Sequence, residues 1–409
     1  MRRRVAVTGI GLTSPIGGDL DAVSLALREG RHGVQTCPAW DAVDGLQTRL
    51  VARVEDPALQ SFPRKSTRSV GRLGLLALLA TERALDDAAA DRAALRDGLQ
   101  GVAYGSTHGS SEALEAFCRR LFTTDSLEGL SGTAYLKFMS HTAVANLAQH
   151  YGIRGRAVST CAACVSGSVA VGTGFELVRA GVQELMLCGG AEEAHFVPAA
   201  VFDTMFATSR AYNDRPDLSP RPFDADRDGL VIGEGAGTLV LEAWERAVAR
   251  GARIHAEVIG YGSSSDGTHV TAPDADGMRL AMTLALRDAG LRPDEVDYVN
   301  AHATGTDVGD IAESVATAAV FGPQTPVSST KGHTGHTLGA CGALELAFCV
   351  AMMRDGFVAP TRNLTRVDPR CAPLDYVRDA PRALRPRVVM SNNFAFGGLN
   401  TSLILRAVG

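Results

Sequence analysis

The chain has 409 residues, 45% hydrophobic and 21% charged, enough apolar side chain for a large core and too much for a disordered chain. Its formal net charge of −5 and pI of about 6.1 exclude nucleic acid as the main partner, because that role calls for a basic excess. No apolar run approaches the roughly 20 residues of a membrane span, and the run after the arginines of "MRRRVAVTGIG" is too short for a signal peptide, so a soluble cytoplasmic protein is expected.

In chain order, a first strand is expected over Arg4–Gly11, with a turn at "SPIGG". From Gly71, "GRLGLLALLATERALDDAA" spaces its apolar residues as a helix does. "GLQGVAYGS" reads as a strand ending in a glycine loop, and "TAVANLAQHYG" as a helix stopped at Gly152. A short strand, Arg156–Thr160, enters "VSGSVAVGTGFELVRAG", a helix whose small residues predict deep, tight packing. "ELMLCGGAEE" has the continuous apolar character of a buried strand. After strand, helix and strand over "GTLVLEAWERAVARGARIHAEVIGYGSSSD", the alternation repeats. It runs through "GMRLAMTLALRDAG", "VDYVNAHAT", "DIAESVATAAVFG", "PVSST" and "TLGACGALELAFCVAMMRDG", and closes on the strands "RVVMSNNF" and "LNTSLILRAV". Both halves alternate strands with helices, which predicts an α/β fold built on a duplicated unit.

Three motifs point elsewhere and fail on spacing. "VTGIGLTSPIG" begins like a dinucleotide fingerprint, but Ser14 stands where the third glycine belongs. "DADRDG" (Asp224–Gly229) opens like a calcium loop, but Gly235 occupies its twelfth position and Glu234 falls one residue early. Cys161 and Cys164 form a C-x-x-C with no second cysteine pair at ligand spacing, so neither structural zinc nor any other metal site is expected. The eight cysteines are expected as thiols, since disulfides are rare in the cytoplasm.

The same cysteines have a different reading as nucleophiles. A strand, a bend of small residues and a helix make the geometry of a nucleophile elbow. The helix start is expected to lower a thiol pKa from about 8.5 toward about 7 or below, and its free N–H groups offer an oxyanion hole. Cys164 lies nearer the helix and Cys161 on the strand side. Two buried core thiols are the alternative that these residues alone leave open. In the C-terminal half, "NAHATGTDVGD" places His302, Thr304 and Thr306 after a strand, and "SSTKGHTGHTLGACGALE" places Lys331, His333, His336 and Glu345 after another. Open α/β sheets gather their sites at such strand ends. Neutral imidazoles there can donate hydrogen bonds to a developing enolate or oxyanion. "NNFAFGGLN" (Asn392–Asn400) adds accessible N–H groups and phenylalanines able to close over an apolar tunnel.

On these residues the sequence resembles a condensing enzyme of the thiolase fold, a β-ketoacyl-[acyl-carrier-protein] synthase of the elongating type II kind, with wording that leans toward specialised polyene or polyketide ketosynthases. The likeness spans essentially the whole chain, through "VTGIG", "AACVSGS", "RPFDADRDGLVIGEGAGTLVLE", "NAHATGT", "SSTKGHTGHTLGA" and "SNNFAFGGLNTSLI". It implies a thiolase-like duplicated five-layered αβαβα architecture. Residues 1–250 would form the N-terminal half with the nucleophilic cysteine, and residues 251–409 the C-terminal half with the His/His/Lys loops. It implies a decarboxylative Claisen condensation of a Cys164-bound acyl chain with a malonyl thioester. His302 and His336 would bind the malonyl thioester carbonyl and Lys331 would support the site, with Glu345 a buried structural acid beside it. The N–H groups of Cys164 and Phe396 would form the oxyanion hole, with Phe396 and Phe394 as gate. Thr304 and Thr306 would hold the phosphopantetheine arm of an acyl carrier protein, the substrate arm of an enzyme that binds no cofactor of its own. The resemblance sets the acyl pocket at His108 and Phe202, and makes His333 non-catalytic.

In "FPRKSTRSVGR", Arg64, Lys65, Arg68 and Arg72 form a local basic patch, expected to dock the acidic carrier protein. The chain departs from the family wording at Ala303, Ala395, Leu399 and His108. A histidine near the acyl channel would suit a less aliphatic substrate, such as a polyene or polyketide intermediate. A homodimer is compatible with the resemblance, as is a catalytic subunit active only beside a chain-length-factor homologue. A non-catalytic binding partner of that type would lack the cysteine. A coenzyme A thiolase would need a second cysteine in a matching C-terminal motif, and Cys371 lies outside it.

Overall fold

The computed structural model describes residues 2–63, 65 and 67–408, and Arg64 of the basic stretch lies outside them. Among the described residues, eleven strands share one mixed sheet. They are β1 (Val5–Thr13), β2 (Gln100–Gly105), β3 (Ala157–Thr160), β4 (Leu185–Glu192), β5 (Gly235–Ala243), β6 (Ala256–Ser265), β7 (Tyr298–Asn300), β8 (Pro326–Ser328), β9 (Asp375–Tyr376), β10 (Val388–Ala395) and β11 (Leu399–Ala407). Across the sheet they run β9, β8, β7, β10, β11, β6, β1, β5, β4, β2, β3. Counted from β1 in one half and from β6 in the other, and setting aside the two-residue rim strand β9, both halves read 3-2-4-5-1 from the rim to the seam. The alternation seen in the sequence is therefore a topological repeat. β1 and β6 join the halves antiparallel, through Val5–Val7.

The helices that matter here are α1 (Arg72–Asp87), α2 (Ser111–Thr124), α3 (Thr142–Tyr151), α4 (Ser166–Arg179), α5 (Phe196–Thr204), α6 (Ala275–Ala289), α7 (Asp307–Phe321) and α8 (Cys341–Asp355). α1 and α3 cover one outer face, α6 and α7 the other, and α4 and α8 lie between the two halves of the sheet. These are the five αβαβα layers of a thiolase-like fold. α8 is buried on every side from Cys341 to Met353, as a helix without a polar face must be. α4 approaches its neighbours as closely as its small residues predict. A Cβ on Gly172 would lie 2.4 Å from the Tyr261 ring, and one on Gly174 would lie 2.0 Å from the Cys188 sulfur.

The acid-rich loop Asp224–Gly229 acts as a clasp. Asp224 accepts backbone N–H groups from Asp226, Thr365 and Arg366 and pairs with Arg221. The buried Arg227 side chain pairs with Asp368 at 2.6 Å and donates to the carbonyl oxygens of Thr306 and Asp307. The loop thus ties the first half of the chain to the segment that follows His302.

Candidate active site

β3 delivers Cys164 to the start of α4. The bend is closed by Ser166, whose hydroxyl accepts from Ala162 N–H at 2.9 Å and donates to the Ala163 carbonyl at 2.7 Å. Ala163 takes a left-handed backbone, φ +48°, a conformation costing about 1–3 kcal/mol outside glycine. This strain turns the next residue, Cys164, inward, where it is 3% exposed. Cys161 points the other way. It was expected to pack behind the bend, but it is exposed, with its sulfur 2.8 Å from the Thr107 carbonyl. It directly follows β3, an edge strand whose first three residues are themselves partly or fully exposed.

Two strand ends of the second half bring the histidines to this sulfur. His336 Nε2 lies 3.0 Å from Cys164 Sγ. The His302 and His336 rings meet edge-on, with centroids 5.1 Å apart. Burial, reinforced by the Lys331 charge, holds both imidazoles well below their usual pKa, so both are neutral as expected. The His302 loop is fixed from behind by α7, whose Glu313 accepts the N–H groups of His302 and Ala303 at 2.7 and 2.6 Å. One turn earlier Asp310 accepts from Thr304 and Gly305. The sequence reading missed both carboxylates. The available signal was a pair of acids three residues apart, on one face of a helix that is otherwise largely apolar.

Lys331 is buried and its ammonium is paired with Glu345. Burial works to discharge Lys331, but the Glu345 carboxylate outweighs it and the pKa rises. Glu345 also accepts from Asn393 Nδ2 at 2.7 Å, and that amide lies 3.5 Å from His302 Nδ1. A charged pair thus sits behind the neutral histidines, linked to His302 through one amide.

The expected low thiol pKa is overturned. Burial pushes Cys164 up to about 12, against the Lys331 charge and the N–H groups of Cys164 and Phe396, which point at the sulfur. Desolvation outweighs the helix start here, because the side chain is almost wholly buried. The resting group is a neutral thiol beside an imidazole, with two N–H donors converging on it.

A cavity of about 400 Å³ opens onto Cys164 and is lined by His302, His336, Thr304, Thr306, Phe394 and Phe396. The hydroxyls of Thr304 and Thr306 stand 3.1 Å apart. Phe396 packs against Phe202, ring centroids 5.5 Å apart, and Phe394 lies 6.3 Å from the His302 ring. Phe202, expected in the acyl pocket, does not line this cavity and instead packs behind Phe396. His108 does not line this cavity. Its ring nitrogens are taken up by Thr107 Oγ1 at 3.0 Å and Ser111 Oγ at 2.7 Å, so it staples its own loop to α2 and, contrary to expectation, faces no acyl chain in this cavity. His333 turns away, its Nδ1 2.8 Å from the Arg31 carbonyl. Of the basic stretch, Lys65 and Arg68 are exposed. Arg72 is not free to dock a partner, since it is held by the fully buried Glu234 and by the Val54 carbonyl.

Residues 2–247 match the model of the β-ketoacyl synthase N-terminal domain, and residues 255–365 that of the C-terminal domain. The chain is 34% identical to 3-oxoacyl-[acyl-carrier-protein] synthase 1 of Haemophilus influenzae, over 99% of both chains. It is 38% identical to 3-oxoacyl-[acyl-carrier-protein] synthase 2 of Synechocystis sp., over 99% of this chain and 98% of the other. Among solved structures, a β-ketoacyl synthase from Burkholderia phymatum superposes with TM-score 0.96 at 50% identity, and the ishigamide ketosynthase/chain length factor with 0.93 at 35%, each over the full length of both chains. A type II PKS ketosynthase, solved with its acyl-carrier protein and bound to the hexaketide, superposes with 0.91 at 29%, again over both full lengths. With both domain models matched in order and relatives aligned end to end, the chain belongs to the β-ketoacyl synthase family.

Proposed function

We propose that this chain is a β-ketoacyl-[acyl-carrier-protein] synthase, which condenses a cysteine-bound acyl chain with a malonyl thioester in fatty acid or polyketide assembly. The observation that carries this reading is the convergence of His336 Nε2, His302 and two backbone N–H groups on the Cys164 sulfur. His336 takes the thiol proton as the sulfur attacks the acyl thioester carbonyl of a carrier-borne chain. The N–H groups of Cys164 and Phe396 hold the resulting oxyanion. The arm thiol leaves with the proton, and the acyl group stays on Cys164. A malonyl thioester then enters, its carbonyl oxygen hydrogen-bonded by His302 and His336. Carbon dioxide departs, and its bonding pair becomes the enolate. The enolate carbon attacks the acyl-cysteine, a carbon–carbon bond forms, and the Cys164 sulfur leaves as a thiolate that takes up a proton from solvent. Lys331 and Glu345 act behind the histidines as a fixed charge pair, and Thr304 and Thr306 are placed to hold the pantetheine arm. Residues 1–250 supply the nucleophile and residues 251–409 the His/His/Lys loops. The cytoplasm, where carrier thioesters are used, is the compartment this reaction implies.

A subunit that only binds would need neither a buried cysteine nor paired neutral imidazoles, so catalysis is favoured. Assembly as a homodimer, or with a ketosynthase-like homologue, is supported by the open edge of β3, whose first three residues stay partly or fully exposed, and by the likeness to a ketosynthase/chain length factor structure. Intact-mass measurement after incubation with acyl-carrier thioesters tests the central claim. An acyl adduct is expected on the wild type and on Cys161→Ala and absent from Cys164→Ala, and an adduct surviving Cys164→Ala would sink it.

A further inference from the structure

The cavity that ends at Cys164 has a mouth of unusual composition. Four large apolar side chains that line it are open to solvent: Phe206 (81% exposed), Val270 (72%), Val308 (56%) and Met205 (38%). Among the described residues, no lysine or arginine lines the cavity, and the exposed carboxylate on its rim, Asp307, is paired with Arg227 and Arg370. Exposed apolar residues scattered singly need no explanation, but several around one opening do. Phe206 is moreover held outward by its backbone. It takes φ +56°, its N–H bonds the Asp203 carbonyl at 3.0 Å, and the Arg210 guanidinium lies 5.1 Å from its ring centroid. A bulky residue in that region is an outlier whose cost the fold sustains.

Val270 adds a second link. Its carbonyl accepts the Gly397 N–H at 2.8 Å, and the Gly398 carbonyl accepts the Asp266 N–H at 2.8 Å. The mouth is thereby hydrogen-bonded to the loop that carries Phe396. Lys65 and Arg68, the described and uncommitted residues of the basic stretch, do not border this opening.

We propose that Phe206, Val270, Val308 and Met205 form an apolar docking ring for the acyl carrier protein, which seats on this chain through hydrophobic contact around the arm rather than through the chain's own basic stretch. This rests on the carrier-dependent reaction proposed above. The occupant follows from the geometry: whatever delivers an arm down this cavity must set its own surface on the rim. A carrier seated there also touches the Val270 segment, and so the loop of the gate.

Steady-state kinetics with acyl-carrier protein and with acyl-pantetheine as donors test the ring in Phe206→Asn/Val270→Ser, a variant that keeps the left-handed position comfortable. The efficiency ratio of carrier to pantetheine donor is expected to fall about tenfold or more, the loss of one interface anchor, while Phe206→Leu retains most of the ratio. Raising NaCl from about 0.05 to about 0.5 M, which shortens the screening length severalfold, is expected to change the wild-type carrier KM by less than about threefold. Equal loss with both donors, or a carrier KM that climbs tenfold with salt, would overturn the ring. A change of oligomeric state in the variant on size exclusion would assign the rim to a second copy instead. A wild type acylated by neither donor would defeat the proposed reaction itself, a result the ratio cannot mimic.

Discussion

Nε2 of His336 and Sγ of Cys164 lie 3.0 Å apart across 172 residues of sequence. His302 is the third member of the cluster, yet no hydrogen bond joins it to the sulfur, and its ring Nδ1 faces the Asn393 amide at 3.5 Å instead. The two histidines are thus unequal. His336→Ala is expected to cut the rate of Cys164 acylation by about 10²-fold or more, the usual worth of a positioned base. His302→Ala is expected to spare acylation and to cut malonyl decarboxylation by a similar factor. Separate single-turnover assays of the two half-reactions check the split, and equal losses in both assays would contradict it.

The imidazoles also set a pH limit. Both have pKa values driven well below 6.5 by burial and by the Lys331 charge. Activity needs them neutral, so it is lost only as the pH falls through those lowered values. The acid limb of kcat/KM is expected well below the ordinary histidine value of 6.5, as read from initial rates across the acid range with the protein verified folded by circular dichroism. A midpoint at or above 6.5 would show ordinary, solvated histidines.

The Cys164 thiol gives the opposite sign. Its folded pKa, about 12, lies above the value of about 8.5 expected for an unfolded thiol. Its contribution to stability is therefore full below about pH 8.5 and is lost as the pH rises toward the folded value. Alkylation of Cys164 by iodoacetamide is expected to be slow at neutral pH and still rising at pH 10, whereas Cys161, exposed, reacts first. Mass mapping of the modified peptides distinguishes the two.

The Lys331–Glu345 pair predicts a stability effect that is separable from catalysis. Removing the ammonium in Lys331→Ala leaves a buried carboxylate without its charge partner, expected to cost about 3–5 kcal/mol. Lys331→Met/Glu345→Met, which removes both charges, is expected to regain most of it while remaining inactive. Urea denaturation of the three proteins measures the difference, and a double variant no better than the single would argue that the pair is not held as described.

Packing on α4 gives an independent check. Gly174→Ala puts a Cβ about 2 Å from the Cys188 sulfur and is expected to cost about 1–3 kcal/mol by overpacking. The companion variant Gly174→Ala/Cys188→Ala, which opens that space, should recover part of the loss in the same denaturation assay.

How far the sequence could be read follows from where periodicity survives. α1, α4, α6, α7 and α8 and the strands around them carry strong apolar patterns, and the alternation predicted the duplicated architecture. α2 and α5 were not anticipated: α2 buries only Ser111 fully, so it carries no clear inward stripe. Residue chemistry brought Cys164, His302, His336 and Lys331 into one reading, since each follows a strand end. What spacing could not convey was electrostatic. The thiol pKa depends on total desolvation, a property of the whole fold, and the helix start alone pointed the wrong way. Arg72 looked like a surface charge until Glu234, 162 residues on, was found beneath it. His108 looked like a pocket residue until its hydroxyl neighbours accounted for both ring nitrogens.

The repeated strand order has a last consequence. In each half the third strand, β3 or β8, leads through a connecting segment to a central helix, α4 or α8, the segment after β8 being the longer and carrying a short helix, Lys331–Thr334. The segment after β3 holds Cys164, and the segment after β8 holds Lys331 and His336. Equivalent places in two copies of one scaffold thus carry complementary groups, a thiol in one and an imidazole with a buried ammonium in the other, and the proposed reaction divides acyl carriage and proton transfer between them. The pseudo-twofold frame sets them face to face, and the division of labour lies in the side chains.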